Sequence, residues 1–158
     1  MKPEIIGRSD WNQFEKIAPD VVAAMGELGK AVSNSGLEKP LTELLKIRVS
    51  QINGCAFCLQ YHINLARKLG IEAAKLDLLP TWRDAGIYTP REQAALVWAE
   101  SLTLMAAQHV SDDVYQALQN EFAESEIAFL TSAIGAINAW NRIAGALQFA
   151  PPIPKSSL

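Results

Sequence analysis

QINGCAFCLQYHINLAR, residues 51 to 67, contains both cysteines of the chain and one of its two histidines. Cys55 and Cys58 form a C-x-x-C pair, and His62 follows four positions after the second thiol. Asn53-Gly54 stops one helical pattern just before the pair, and Gly70 stops the next. On a helix turning about 100° per residue, Cys55, Cys58 and His62 fall within about 60° of one another. Leu59, Leu65, Ala66 and Leu69 share that sector, while Gln60, Asn64, Arg67 and Lys68 lie on the opposite, wetter side. The stretch therefore reads as the turn and second arm of a helix hairpin, with the thiols in the first turn of that arm.

Working outward, the pattern stays helical. No segment alternates with period two over a useful length. Ser9 or Asp10 is placed to cap a short helix carrying Trp11 and Phe14, and Pro19 suits the first turn of a helix ending near residues 33–36. The first arm of the hairpin runs from about Leu41 to Ile52, the second from Cys55 to Leu69, and a short helix covers residues 72–79. Thr89-Pro90-Arg91-Glu92 has the spacing of a capping box and opens a long helix expected to reach about Gln108. Ser111 opens another helix and Ser125 the last, which fades near Gln148. The expectation is an all-α domain over residues 1–150 with an extended, Pro-rich tail over 151–158.

Composition narrows the function. Half the residues are hydrophobic (49%) and a fifth are charged (20%), enough apolar side chain for a real core. The net charge is −3 with Lys and Arg scattered, which argues against a nucleic-acid surface. The weakly polar run from Phe129 to Ala150 carries Asn138, Asn141 and Arg142, so it reads as a buried helix rather than a membrane span. The N-terminal MKPEIIGRSD lacks the apolar segment of a secretory leader, so a cytoplasmic, reducing compartment is expected. There C-x-x-C reads as catalytic or metal-binding rather than as a structural disulfide.

Zinc is the first rival. Cys55, Cys58 and His62, with His109 or a carboxylate, make up a ligand set, but the second close ligand pair of most structural zinc sites is missing. Two buried small thiols beside a core histidine are the bland alternative. The redox reading has more physical content. The unpaired N–H groups of a helix start stabilise a thiolate, and His62 lies one turn beyond Cys58 to take its proton. Glu43 joins from the preceding helix. If the hairpin folds back antiparallel, Glu43 comes level with the turn from His62 to Ala66 and can orient the imidazole. Arg48 falls on an apolar face and needs a carboxylate, with Glu92 and Glu100 as the candidates.

Glu43, eleven residues, Cys55-Ala-Phe-Cys58, three residues and His62 resembles the signature of alkylhydroperoxidase D-like (AhpD-like) proteins of the carboxymuconolactone decarboxylase superfamily. SQINGCAFC, HINLAR and AINAWNRI at 136–143 extend the likeness over nearly the whole chain. The resemblance implies an all-helical fold with the cysteines on a helix hairpin, and a homotrimer or homohexamer. It implies that Cys58 attacks a small peroxide, that Cys55 closes the disulfide, and that His62 and Glu43 relay protons. It also implies a dithiol reductant protein, lipoyl-bearing or thioredoxin-like, and neither cofactor nor metal. The first cysteine of C-x-x-C is the nucleophile in the thioredoxin pattern; the family role of Cys58 is followed here because His62 is closer to it in sequence. Phe57 stands where some family members carry a further histidine. A thiol–disulfide oxidoreductase, a redox-sensing oligomer and a decarboxylase-type enzyme remain alternatives. Trp82, Tyr88, Trp98 and Trp140 represent apolar surface beyond what so small a domain readily buries, a second reason to expect an oligomer.

Overall fold

The structure, a computed structural model, describes residues 7–155. Part of the N-terminal stretch read for a leader (1–6) and the end of the expected tail (156–158) lie outside the described residues. Among the described residues there are nine α-helices and no strand. They are α1 (Trp11–Ile17), α2 (Pro19–Ser33), α3 (Lys39–Asn53), α4 (Ala56–Lys68), α5 (Ala73–Asp77), α6 (Trp82–Ala85), α7 (Pro90–Thr103), α8 (Asp112–Gln119) and α9 (Glu124–Leu147). A single 3₁₀ turn, Leu79–Thr81, joins α5 to α6.

The fold is built around α3, which packs against α4, α7 and α9 together. Its Leu44, Leu45, Ile47, Val49 and Ser50 have almost no surface. A helix enclosed on so many sides has no wet face, which is why Thr42 and Glu43 are buried with their apolar neighbours. α2 packs on α9, and α8 on α7.

The hairpin turn is made by the backbone. Gly54 adopts φ 68°, ψ 30°. Its N–H donates to the Gln51 carbonyl (3.3 Å), and the Cys55 N–H donates to the Ser50 carbonyl (3.1 Å). This pair of hydrogen bonds across a left-handed residue satisfies the last α3 carbonyls and turns the chain straight into α4. Cys55 is then the N-cap of α4, its Sγ accepting the Cys58 N–H at 3.3 Å. Elsewhere Asp10 caps α1 and Thr89 caps α7, each in a full capping box.

Three expectations need correction. The helix from Pro90 stops at Thr103, not near Gln108. Leu104, Met105, Ala106 and Ala107 have good helix propensity, but Met105 is 63% exposed, so no core holds the extra turn. Ala107 and Gln108 bond back to the Leu104 carbonyl in a separate turn instead. Trp82, Tyr88 and Trp98 do not form surplus surface, since each is under a tenth exposed within the single chain. Their polar atoms have partners: Trp82 Nε1 donates to Glu100 Oε1, Tyr88 OH to the Lys75 carbonyl, and Trp98 Nε1 to Thr131 Oγ1. Gln60 and Asn64 are part-buried rather than wet, because Asn64 Nδ2 donates to the Pro152 carbonyl (2.9 Å) and holds the tail over α4.

Arg48 finds Glu100 rather than Glu92. Its Nε donates to Glu100 Oε1 at 2.9 Å, and Arg83 and Trp82 complete the carboxylate's shell. Glu92 is committed to its own helix start and to Lys75.

A Cβ at Gly54 would meet nothing within 4 Å, so its substitution tests backbone conformation alone. Gly54→Ala is expected to lower unfolding free energy by about 1–2 kcal/mol, and Gly54→Asn by clearly less, because asparagine tolerates the left-handed region. Urea melts of the three proteins measure both values. Equal losses would mean the strain does not reside in φ.

Candidate active site

Cys55 and Cys58 are joined as a disulfide, with their Cα atoms 5.4 Å apart. Both are buried, at 1% and 3% exposure. They differ in what they face. Cys58 lines a cavity of about 400 Å³ together with Trp11, Phe57, Tyr61, His62, Ile137, Trp140 and Pro152. Cys55 is absent from that lining and lies beneath it against α9, where a Cβ built on Gly145 would come 3.9 Å from Cys55 Cβ.

His62 lines the same cavity one helical turn beyond Cys58. Its Nδ1–H donates to Glu43 Oε2 at 2.6 Å. The carboxylate's other oxygen, Oε1, accepts from Lys46 Nζ at 2.9 Å. The hairpin thus brings together all four residues picked from the sequence, and Glu43 is not a solvated-face residue. Burial pushes the Glu43 carboxyl up, but the hydrogen bond and charge of His62, and then those of Lys46, outweigh it and hold the group below its ordinary value of 4.5. With Nδ1 spent on Glu43, a neutral His62 keeps Nε2 as its basic nitrogen.

A second cavity, about 90 Å³, lies behind the histidine. Met25, Gly29 and Val32 of α2, Lys46 of α3 and Ala133 of α9 are among its walls, and it shares His62, Ile137 and Trp140 with the larger one. Beneath the site a polar seam joins α3 to α9. Ser50 Oγ donates to the Lys46 carbonyl, Asn141 Nδ2 donates to Ser50 Oγ, and Asn53 Nδ2 donates to Asn138 and Asn141. Within the AINAWNRI stretch, Trp140 faces the cavity, Asn141 works in this seam, and exposed Arg142 bonds back to Asn138.

Sequence reasoning missed Lys46 and the cavity walls. A lysine three residues after Glu43 on one helix was visible as an i, i+3 pair, though such pairs usually sit on a wet surface. Trp11 and Pro152 come from opposite ends of the chain, and nothing in their local sequence links them to the cysteines. Among the described residues, no group of three or more His, Cys, Asp or Glu converges as a metal site. His109 is exposed in the loop between α7 and α8. No helix among the described residues is long and apolar enough to cross a membrane.

The model of the carboxymuconolactone decarboxylase family matches residues 19–101. The uncharacterized protein YdfG of Bacillus subtilis (strain 168) is 37% identical over 134 residues, 85% of this chain and 91% of that protein. A crystal structure from Agrobacterium tumefaciens, of a protein of unknown function provisionally assigned to antioxidant defence as AhpD, is 38% identical. It covers 89% of this chain and 97% of its own, with a TM-score of 0.86. An uncharacterized peroxidase-related protein from Ralstonia eutropha JMP134, described as an alkylhydroperoxidase AhpD core, shares the fold at 21% identity. Its TM-score is 0.77, over 90% of this chain and 80% of its own. The chain belongs to the carboxymuconolactone decarboxylase family. Within that family it is an AhpD-like member.

A carboxyl depressed in the folded state contributes stability above its unfolded value, and that contribution is lost as pH falls through the folded value. Wild type should therefore lose stability as the pH drops below about 4.5, the ordinary value for this carboxyl. Glu38, Glu100 and Glu126 are depressed too, so the Glu43 share is the difference between wild type and Glu43→Gln. That difference is expected to be about 1–3 kcal/mol at pH 7 and to shrink towards zero in acid, as read from urea midpoints. A difference independent of pH would mean that Glu43 is not held as a carboxylate.

Proposed function

We propose that this protein is a thiol-dependent peroxidase that cycles between a Cys55–Cys58 dithiol and its disulfide. The observation that carries the reading is one wall of one cavity: a buried thiol position, Cys58, beside a histidine that is hydrogen-bonded to a buried carboxylate. The AhpD-like relatives support peroxide chemistry in general.

In the forward step the Cys58 thiol gives its proton to His62 Nε2. The thiolate attacks the terminal oxygen of ROOH, and the O–O bond breaks. The leaving RO⁻ takes the proton from His62 and departs as ROH, leaving Cys58 as a sulfenic acid. Cys55 sulfur then attacks Cys58 sulfur, and the sulfenic oxygen leaves as water with the Cys55 proton. The chain has given two electrons, and a dithiol reductant returns them. Glu43 acts on the imidazole, holding Nδ1–H so that Nε2 is the basic nitrogen, and Lys46 keeps that carboxylate charged. The N–H donor on Cys55 Sγ favours a thiolate at Cys55, so electrostatics alone does not choose between the sulfurs. Access favours Cys58, which lines the cavity.

Burial also bears on the reductant. Both cysteines are under 5% exposed, out of reach of the flat rim around a thioredoxin-type disulfide. A dithiol on a slender arm, of the lipoyl kind, fits the cavity better. We further propose a cytoplasmic homotrimer or homohexamer; after the burial of Trp82, Tyr88 and Trp98 this rests on the family alone.

Peroxide consumption with a small dithiol donor tests the reading. Cys58→Ser should abolish turnover, and Cys55→Ser should stop at a trappable sulfenic acid on Cys58. His62→Ala should slow the peroxide reaction about 10²- to 10⁴-fold. Glu43→Gln should slow it in the same direction, and the two losses should be far from additive. Sulfenic acid found on Cys55 rather than Cys58 would reverse the roles. An unreactive wild type that still exchanges disulfides would make it an oxidoreductase.

A further inference from the structure

The cavity above Cys58 is walled by rings. Trp11, Phe57 and Tyr61 form a row, with centroids 6.1 Å and 6.2 Å apart and both pairs of planes within 19° of parallel. Trp140 stands tilted 54° to Trp11 at 5.9 Å, closing the far side with Ile137. Phe149, itself buried, sets its edge against Phe57 (5.5 Å, 84°) and against Trp11 (5.9 Å, 82°), which fixes the row from behind. Among the described residues no Lys, Arg, Asp or Glu lines this cavity. Its polar atoms are the reacting pair, Cys58 and His62, with the tips of Tyr61 and the two indoles.

These walls constrain the occupant. A carboxylate or phosphate brought here would lose water and find no cation, and the ionised Glu43 behind His62 would repel it. A molecule as small as hydrogen peroxide would leave the walls unfilled and gain nothing from them. The volume, about 400 Å³, is at the small end of pockets for organic ligands, enough for one ring and a short arm. Stacked and edge-on ring contacts add to simple burial, and a saturated ring of the same size does not make them.

We propose that this cavity is a binding site for neutral, single-ring aromatic hydroperoxides. Trp11, Phe57 and Tyr61 select the ring, and the hydroperoxide arm is directed at Cys58 and His62. The inference rests on the peroxidase reading only for its reactive end; the preference for an arene is a property of the walls. Phe57 gains a function from its position inside C-x-x-C, just before Cys58: it is a specificity residue rather than an additional base.

Binding and turnover separate the two claims. The disulfide form, which cannot react, is titrated with 2-phenyl-2-propanol and with its saturated twin, 2-cyclohexyl-2-propanol, following tryptophan fluorescence and heat. The aromatic alcohol should bind about five- to tenfold tighter, the span of one or two ring–ring contacts. In Phe57→Leu and in Tyr61→Leu that ratio should fall towards one; Tyr61 is nearly half exposed, so its replacement leaves the core intact. Turnover of cumene hydroperoxide should likewise exceed that of the cyclohexyl and tert-butyl hydroperoxides in kcat/KM. Equal affinity for the two alcohols, tighter binding of the saturated one, or no binding of either overturns the proposal. So does a ratio unchanged in both leucine variants. Selective binding of the aromatic alcohol without consumption of any peroxide would leave the aromatic site standing and remove the peroxidase reading.

Discussion

The Glu43–His62 hydrogen bond joins the two arms of the hairpin, and the burial of α3 together with the tight turn at Gly54 makes it possible. A carboxylate with little solvent around it is expensive unless its charge is met. Here one oxygen receives His62 and the other Lys46, so the charge persists in a dry place. The bond also fixes the imidazole's rotation. A freely turning His62 would present either nitrogen to the cavity; a bonded one presents Nε2. The short turn at Gly54 sets the register that brings the pair level, since any extra residue there would rotate α4 and carry His62 off the α3 face.

Burying α3 on nearly every side creates a further constraint: each of its buried polar side chains needs a partner, in α3 itself or on a neighbouring helix. The seam of Ser50, Asn53, Asn138 and Asn141 meets this between α3 and α9, and the Arg48–Glu100–Trp82 group meets it towards α7. Among the described residues no buried side-chain nitrogen or oxygen is left without a partner. Such networks orient the helices more strictly than apolar packing does, because a slipped register would orphan several groups at once. The positions of Cys58 and His62 relative to α9, and with them the cavity, depend on that orientation.

The cavity is closed by the chain's two ends. Trp11 comes in on α1, whose own length is too short to be stable alone, and is held by its contacts with Phe57, Trp140 and Phe149. Pro152 is tied to α4 through Asn64. The cavity is thus walled partly by α4 and α9, which supply Phe57, Tyr61, Ile137 and Trp140 beside Cys58 and His62, and partly by Trp11 and Pro152 from segments distant in sequence.

Local sequence determined a good deal of this protein. Asp10, Thr89 and Gly54 announced their caps, the hairpin followed from Asn53-Gly54, and Cys55, Cys58 and His62 shared a face because a helix repeats every 3.6 residues. Periodicity and capping are short-range, so they are legible in one dimension. The same local rules misjudged the end of α7, where helix propensity continued but the core did not. They also misjudged Trp82, Tyr88 and Trp98, whose burial depends on hydrogen-bond partners 13 to 33 positions away. Only tertiary structure decided that Glu43 is buried rather than wet, that Lys46 shares it with His62, that Glu100 rather than Glu92 takes Arg48, and that residues as distant as Trp11 and Pro152 wall one cavity. Each of those outcomes is set by which helices surround α3, and a helical wheel has no term for the neighbours.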